Sequence, residues 1–493
     1  MSKVIRGLLL LSVANFLAAG IGYVIHVALG RALGPEGYGV FNTINSLVSV
    51  IAILTAAGIP LAVSKYTAEL EGSDRVLKKG LTLQSILAAI VFIFLMLNAE
   101  FVAGLIGDLS LVPLIRIAAL GIPIMALYSV FDGFLNGNSS FGRQTADSII
   151  VNIGKLFAIV LVIIGFGVAG ALGGYVLGAM LGLIATVIFC WMLLKERGAN
   201  KSRGNIEYAR MLNFAIPIML VSLLSTLLYN IDILSIKILL KSDELTGIYS
   251  AASMISRVPM LVFGAIATVL FPTLSYSMSK NEVDRTRKYI SNTIRYLLIL
   301  LLPMALIVGL TSGGLASLIY SAKYQAAGEP LSILFFGFIG IVFMQLFSTV
   351  INAEGKPMVT VAILLICAVS SILLNLILDP MLGIVGAATA TTISTYVGII
   401  IAGAYINKKH KIDIKLNSIS KMIGGLALIA LLWTVLNNFL TFKGVYLLIE
   451  YAILFGAYLL FLFIVKGYET EDLEVLYKLL PSKVSGVLKK VTL

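Results

Sequence analysis

The sequence predicts an all-α polytopic membrane protein of about fourteen spanning helices, and three observations carry that expectation. Mean hydropathy is +1.03, with 59% of residues hydrophobic and 12% charged, about half the charge of an average soluble chain. Apolar runs of roughly 20 residues, the length that crosses a hydrocarbon core, recur along the chain. Lysine and arginine concentrate in alternate connecting loops, the pattern that orients membrane proteins. The net charge of +12 and pI near 9.4 therefore set topology, and no nucleic-acid partner is expected. Cys190 and Cys367 both lie inside apolar runs, so neither a disulfide framework nor a metal site is indicated.

Taken in order, the first six spans are expected near Ile5–Gly30, Gly39–Val63, Leu81–Leu97, Leu111–Leu135, Thr145–Gly167 and Val168–Leu194. Met1–Arg6 before the first resembles a signal peptide, but the run is too long for one and reads as an uncleaved span. A basic linker, Lys195–Arg210, follows. The next six are expected near Met211–Leu239, Leu245–Tyr276, Tyr289–Leu310, Leu331–Asn352, Met358–Leu378 and Gly383–Ile406. A final pair covers Ser418–Leu440 and Val445–Val465. In the tail, Leu473, Leu476 and Leu480 share a helical face opposite Glu471, Glu474 and Lys478, which predicts an amphipathic piece on the inner membrane surface. The domain boundaries that follow are 1–194, a linker 195–210, 211–406, an appended pair 418–466 and a tail 467–493.

Loops after even-numbered spans carry Lys65, Arg75, Lys78 and Lys79, then Arg143, the linker, Lys280 to Lys288, Lys356 and Lys408 to Lys415. The opposite loops offer only Arg31, Lys241, Lys323 and Lys443. Both termini are therefore expected in the cytoplasm, with the chain a monomer in the cell membrane. The chain also repeats: Leu135–Asn136 answers Ile351–Asn352, and Gly167-Val-Ala-Gly-Ala171 answers Gly383-Ile-Val-Gly-Ala387 at the same offset. Gly37-Tyr-Gly-Val-Phe41 answers Leu245-Thr-Gly-Ile-Tyr249 at nearly that offset. An even number of spans separates the copies, which places a pseudo-two-fold axis along the membrane normal, as in two-lobed transporters.

Two stretches carry a family resemblance. Arg31-Ala-Leu-Gly-Pro-Glu-Gly-Tyr-Gly39 follows the first span, and Ala57-Gly-Ile-Pro-Leu-Ala-Val-Ser-Lys-Tyr-Thr-Ala-Glu69 closes the second. Tyr229-Asn-Ile-Asp-Ile233 and Thr246-Gly-Ile-Tyr-Ser-Ala-Ala252 mark the second half. Together they resemble the polysaccharide-exporter branch of the flippase and multidrug-exporter superfamily, which includes O-antigen flippases and the stage V sporulation protein B group. The resemblance covers spans one to twelve and implies alternating access between two six-helix lobes.

Familiar catalytic signatures are missing. Gly137-Asn-Ser-Ser-Phe-Gly-Arg-Gln144 has the glycine spacing of a phosphate loop but neither its Lys nor its preceding strand. Intramembrane charge is the more informative signal, since each such group costs about 2.5–3.5 kcal/mol at mid-bilayer. Lys155 and Arg257 sit deepest, one in each half, and are the expected ligands of an anionic substrate; Arg offers a flat fork of donors and Lys a mobile point charge, both suited to diphosphate. Asp232 is expected either to couple a cation or to form a structural ion pair with Arg257. Arg116, Asp132 and Lys237 lie close enough to helix ends to snorkel, and Glu450 is expected to face lipid or the tail. Gly58 and Pro60 interrupt span two and mark a hinge, and Asn15 and His26 are candidate cavity-lining residues of span one.

These features favour a flippase for a lipid-linked glycan. Such a substrate's diphosphate would sit in the cationic cavity while its tail stays in lipid. No cofactor is expected, and coupling would come from protons, sodium or the membrane potential. A cation-coupled drug exporter of the sister branch is the alternative, although its members often carry an acid in span one and this span has none. A membrane enzyme is disfavoured, because the longest outside loops, near 100–110 and 311–329, are short and poor in carboxylates.

Overall fold

Glycine and proline divide the apolar runs into helices, as the sequence anticipates. In the computed structural model, residues 3–70, 74–197, 206–412, 416–439 and 444–468 are described, with side chains from Phe16 onward. Helix α1 (Lys3–Ala56) holds the first two spans in one element and kinks at Gly34, whose φ of 71° precedes Pro35. The chain breaks at Ala57 and restarts as α2 (Gly58–Glu69). Pro60 falls in the first turn of α2, where its missing N–H has no intrahelical partner to lose. Helices α3 (Asp74–Leu97), α4 (Ala99–Ile106), α5 (Val112–Ala119) and α6 (Gly121–Gly137) follow. Next come α7 (Phe141–Lys155), the short α8 (Phe157–Leu161) and the 31-residue α9 (Gly167–Arg197).

The second half begins with α10 (Tyr208–Leu228) and α11 (Ile231–Leu240). The run expected as span eight is divided at Arg257 into α12 (Asp243–Ser256) and α13 (Val258–Ser279), with Pro259 in the first turn of α13. Then come α14 (Val283–Ile319), α15 (Gly328–Ala353), α16 (Pro357–Leu382) and α17 (Ile384–His410). Helices α18 (Leu416–Phe439) and α19 (Tyr446–Ile464) complete the described chain and pack on α14 through Ile299, Ile307, Met422, Ile429, Leu454 and Tyr458. Among the described residues, eleven helical segments are long and apolar enough to cross a membrane. Two of these, of 54 and 56 residues, are long enough for two passes each, and each contains a glycine with non-helical backbone, Gly34 and Gly165. Exposed apolar side chains such as Ile90, Leu97, Ile163, Trp191, Ile377 and Met381 cover the outside, the surface that lipid requires.

The repeat is visible in the backbone. Gly167 and Gly383, matched in the sequence, adopt the same glycine-favouring conformation, with φ/ψ of 53°/−138° and 62°/−140°. Asn136 bonds Gln144 and Asn352 bonds Thr360, each pair eight residues apart and each tying two helices across a turn. Gly39 and Gly247 face one another reciprocally. A Cβ on Gly39 would lie 1.9 Å from the Asp243 carbonyl oxygen, and one on Gly247 would lie 1.8 Å from that of Pro35. Such an exchange is what a two-fold relation between α1 and α12 produces, and only glycine permits backbones that close.

Candidate functional site

Lys155 ends α7, and its place is set by the glycine contact between α7 and α9: a Cβ on Gly178 would lie 2.6 Å from the Lys155 amide nitrogen. Its ammonium stands 5.5 Å from the centre of the Tyr175 ring, within cation–π range. It opens onto a cavity of about 360 Å³ that Asn45, Ser49 and Tyr175 also line. Among the described residues no carboxylate lies within ion-pairing distance of it.

Arg257 occupies the break between α12 and α13. Its Nη2 donates to the Tyr229 carbonyl at 3.0 Å, its guanidinium carbon lies 5.9 Å from the Phe338 ring centre, and Nε has no partner. The side chain lines a small polar crevice with His26, Tyr38, Asn42, Asn45 and Asn230. Asn45 is common to this crevice and to the Lys155 cavity. His26 bridges them from the other side: Nδ1 is 3.0 Å from the Tyr38 hydroxyl and Nε2 is 3.4 Å from that of Tyr175. The structure thus gathers Lys155, Arg257 and His26 around Asn45 and Tyr175. The side chain of Asn15 lies outside the described residues, as do the tail from 469 and linker residues 198–205.

Asp232 does not pair with Arg257. It is 1% exposed and accepts the Tyr249 hydroxyl at 2.5 Å and the Ile233 amide at 2.9 Å. The equally buried Asp379 accepts from Ser235 at 2.6 Å through one oxygen and leaves the other without a partner. The structural ion pair is therefore absent, because Arg257 has turned to the Tyr229 carbonyl.

Lys237, expected to snorkel, instead has a side chain 5% exposed between Asp108 at 2.6 Å and Asp243 at 2.7 Å. Those acids come from the loop after α4 and the first turn of α12, so the helix-end lysine is drawn inward by two carboxylates. Burial would raise Asp108, but the hydrogen bonds from Lys237 and Ser110 outweigh it and hold its carboxyl below the ordinary value. Arg31 donates to the Leu318 and Ile319 carbonyls at 2.7 and 2.8 Å, and the Tyr324 hydroxyl donates to the Gly30 carbonyl at 2.7 Å. These contacts tie α1 to the far end of α14. Glu450, expected to face lipid or the tail, is 1% exposed and accepts from Asn437 at 2.9 Å, joining α18 to α19. Asp132 is half-buried and hydrogen-bonded to Gln144, whereas Arg116 is exposed near Glu100, as expected of a snorkelling residue.

The expected hinge residues mark an observed break, but packing accounts for Gly58. A Cβ there would lie 2.4 Å from the Ala215 carbonyl oxygen of α10. Pro60 presents its own carbonyl to Gly133, where a Cβ would come within 2.4 Å of it. Sequence reasoning missed Asn45, Tyr175 and Tyr38; a polar residue in the apolar run of span two was the available signal for Asn45.

Comparison with known proteins places this geometry. The family described as polysaccharide biosynthesis protein matches residues 4–278, and the MatE family matches 217–377. The probable low-salt glycan biosynthesis flippase Agl15 of Haloferax volcanii is 25% identical, over 82% of this chain and 83% of that protein. The lipid II flippase MurJ of Bacillus subtilis is 22% identical, over 83% of each chain. A solved lipid II flippase MurJ in an inward closed conformation superposes with a TM-score of 0.76 over 93% of this chain and 98% of that one, at 16% identity. At that identity the shared property is the fold.

Proposed function

Because the chain belongs to the polysaccharide biosynthesis protein family, we propose that it flips a lipid-linked, diphosphate-bearing glycan precursor across the cytoplasmic membrane. The observation that carries this is the cationic pair at the centre: Lys155 with no carboxylate beside it and Arg257 with a free Nε, on adjoining cavities that share Asn45. A buried cation without an internal counter-charge is costly, and an anionic ligand offsets that cost when bound. The flippases named among the relatives support the substrate class.

In this reading residues 1–194 and 211–406 form two lobes that rock about the Gly39–Gly247 contact, with 418–466 appended and both termini inside. The protein works as a monomer among membrane lipids, without catalysis or a cofactor. Asp232 serves coupling: it is buried without a basic partner, close to an Asp379 oxygen that nothing satisfies. Either a proton or sodium, or a response to membrane potential, suits that role. A drug exporter of the sister branch shares the fold and the MatE match, but two uncompensated cations in the cavity disfavour cationic drugs.

The test is reconstitution with fluorescent lipid-diphosphate sugars and a leaflet-accessibility assay. Wild type is expected to flip them without exporting cationic dyes. Lys155→Ala and Arg257→Ala should each fold and lose flipping, and Arg257→Lys should keep part of it, because the field remains while the fork is lost. Wild-type rates in both alanine variants would end the proposal.

A further inference from the structure

The first half of the chain contains a second pair of acids that the cavity does not use. Asp147, on α7, is 0% exposed, and neither of its carboxylate oxygens has a hydrogen-bond partner. Asp132, on α6, is half-buried and near enough for its charge to act on Asp147. Helices α6, α7 and α9 converge here: a Cβ on Gly182 would lie 2.0 Å from Val151 and 3.5 Å from the Tyr128 ring. Tyr128 and Thr186 face Asp147 short of hydrogen-bond geometry. The Thr186 hydroxyl is itself fully buried, without a hydrogen bond of full geometry, and lies toward Asp147.

Among the described groups that act on Asp147 there is no cation. From α6 come Tyr128 and Asp132, from α9 Cys190 and Glu196, and from α7 Arg143 beside Asp147. Arg143 is held by Glu196 at the cytoplasmic end. An isolated carboxylate cannot remain ionised in such surroundings, so a positive charge must come from outside. No group of three or more His, Cys, Asp or Glu suited to a metal ion occurs among the described residues. The Cys190 thiol is turned to the Phe131 carbonyl at 3.5 Å, and carboxylate and hydroxyl oxygens select a small hard cation.

We propose that Asp147 and Asp132, with the Thr186 hydroxyl, form a binding site for one exchangeable small cation, a proton or a sodium ion. The site connects to the break in span two. Gln144 donates to Asp132 at 3.1 Å, Asn136 donates to Gln144 at 3.0 Å, and Ser64 of α2 donates to Asn136 at 2.8 Å. A change of charge at Asp132 thereby reaches the helix that begins at Gly58. The matching turn in the second half, Thr360 to Asn352, has no acid in its relay. Only the use of the site rests on the transporter reading; its existence does not.

The experiment is infrared difference spectroscopy on the purified full chain, first exchanging sodium for choline at fixed pH, then changing pH at fixed sodium. Wild type is expected to show a carboxylic-acid C=O band that changes in at least one exchange. Asp147→Asn, which resembles the protonated acid in shape and should fold, is expected to lose that band. Asp379→Asn should keep it, which separates this pair from the acids of the second half. A response to sodium assigns the ion, and a response to pH alone assigns the proton; both support the site. Deuterium exchange over residues 58–69 should follow occupancy in wild type and cease to follow it in Asn136→Leu, while the infrared band remains. Absence of any Asp147→Asn-sensitive band under both exchanges would overturn the site, whatever the flipping assay returns.

Discussion

Replacing Lys237 by Met tests a buried electrostatic contact between the two halves. The ammonium is 5% exposed, and its partners Asp108 and Asp243 have side chains 24% and 23% exposed. Breaking a fully buried pair costs about 3–5 kcal/mol. Because both orphaned carboxylates here can regain water, about 2 kcal/mol is the better expectation. Only the Asp108 contact crosses between the halves, since Asp243 follows Lys237 by six positions. If this end opens during transport, the Asp108 share of that loss, about 1 kcal/mol, shifts the closed-to-open ratio by about fivefold, at 1.4 kcal/mol per tenfold. Spin labels at Leu109 and Lys241, both exposed positions, read the separation of the outer ends. Lys237→Met should populate a longer distance, and Asp108→Asn should do so to a lesser degree. An unchanged distance distribution together with an unchanged melting temperature in Lys237→Met would refute the assignment of this triad as a closure.

Lowering pH should open the same contact only at the acid extreme. Asp108 is held below its ordinary 3.8 with burial outweighed by its hydrogen bonds, so its stabilising contribution is complete above that value and is lost as pH falls through the lowered one; a distance change already at pH 6 would contradict this. Gly58→Ala should lower the melting temperature, since its Cβ would meet the Ala215 carbonyl at 2.4 Å. Pro60→Ala should leave melting unchanged, because no hydrogen bond is missing at its position, and slow flipping if the break is a working hinge; normal flipping would leave Pro60 a helix start alone. Cysteines at Arg203 and Lys323 should label from opposite faces of the membrane, and labelling from one face would break the topology.

The sequence made the helical membrane fold legible because apolar length is a local property. Breaks followed glycine and proline: Gly58 and Pro60 signalled the break at Ala57, and the Gly34-Pro35 pair marks the kink of α1, where Gly34 takes a positive φ. Depth alone singled out Lys155 and Arg257, which the structure places on two cavities that share Asn45. Depth failed for Lys237 and Glu450, whose burial depends on partners brought from other elements, Asp108 and Asn437. Asp147 escaped notice for the same reason: six residues into its helix it reads as a surface acid, and only the convergence of α6 and α9 encloses it.

The repeat connects these separate readings. Matched glycines at 167 and 383 share a conformation, and Gly39 and Gly247 make one reciprocal contact, so the two halves descend from one backbone plan. Against that plan, the departures carry the information. Lys155 stands on the first half and Arg257 at a helix break of the second, so the cationic centre is assembled from unlike positions and would grip an asymmetric ligand. The relay through Asn136 ends on an acid, whereas its counterpart at Asn352 ends on a threonine. The two halves therefore differ in charge at matched turns, and only the first carries an acid that a cation could neutralise.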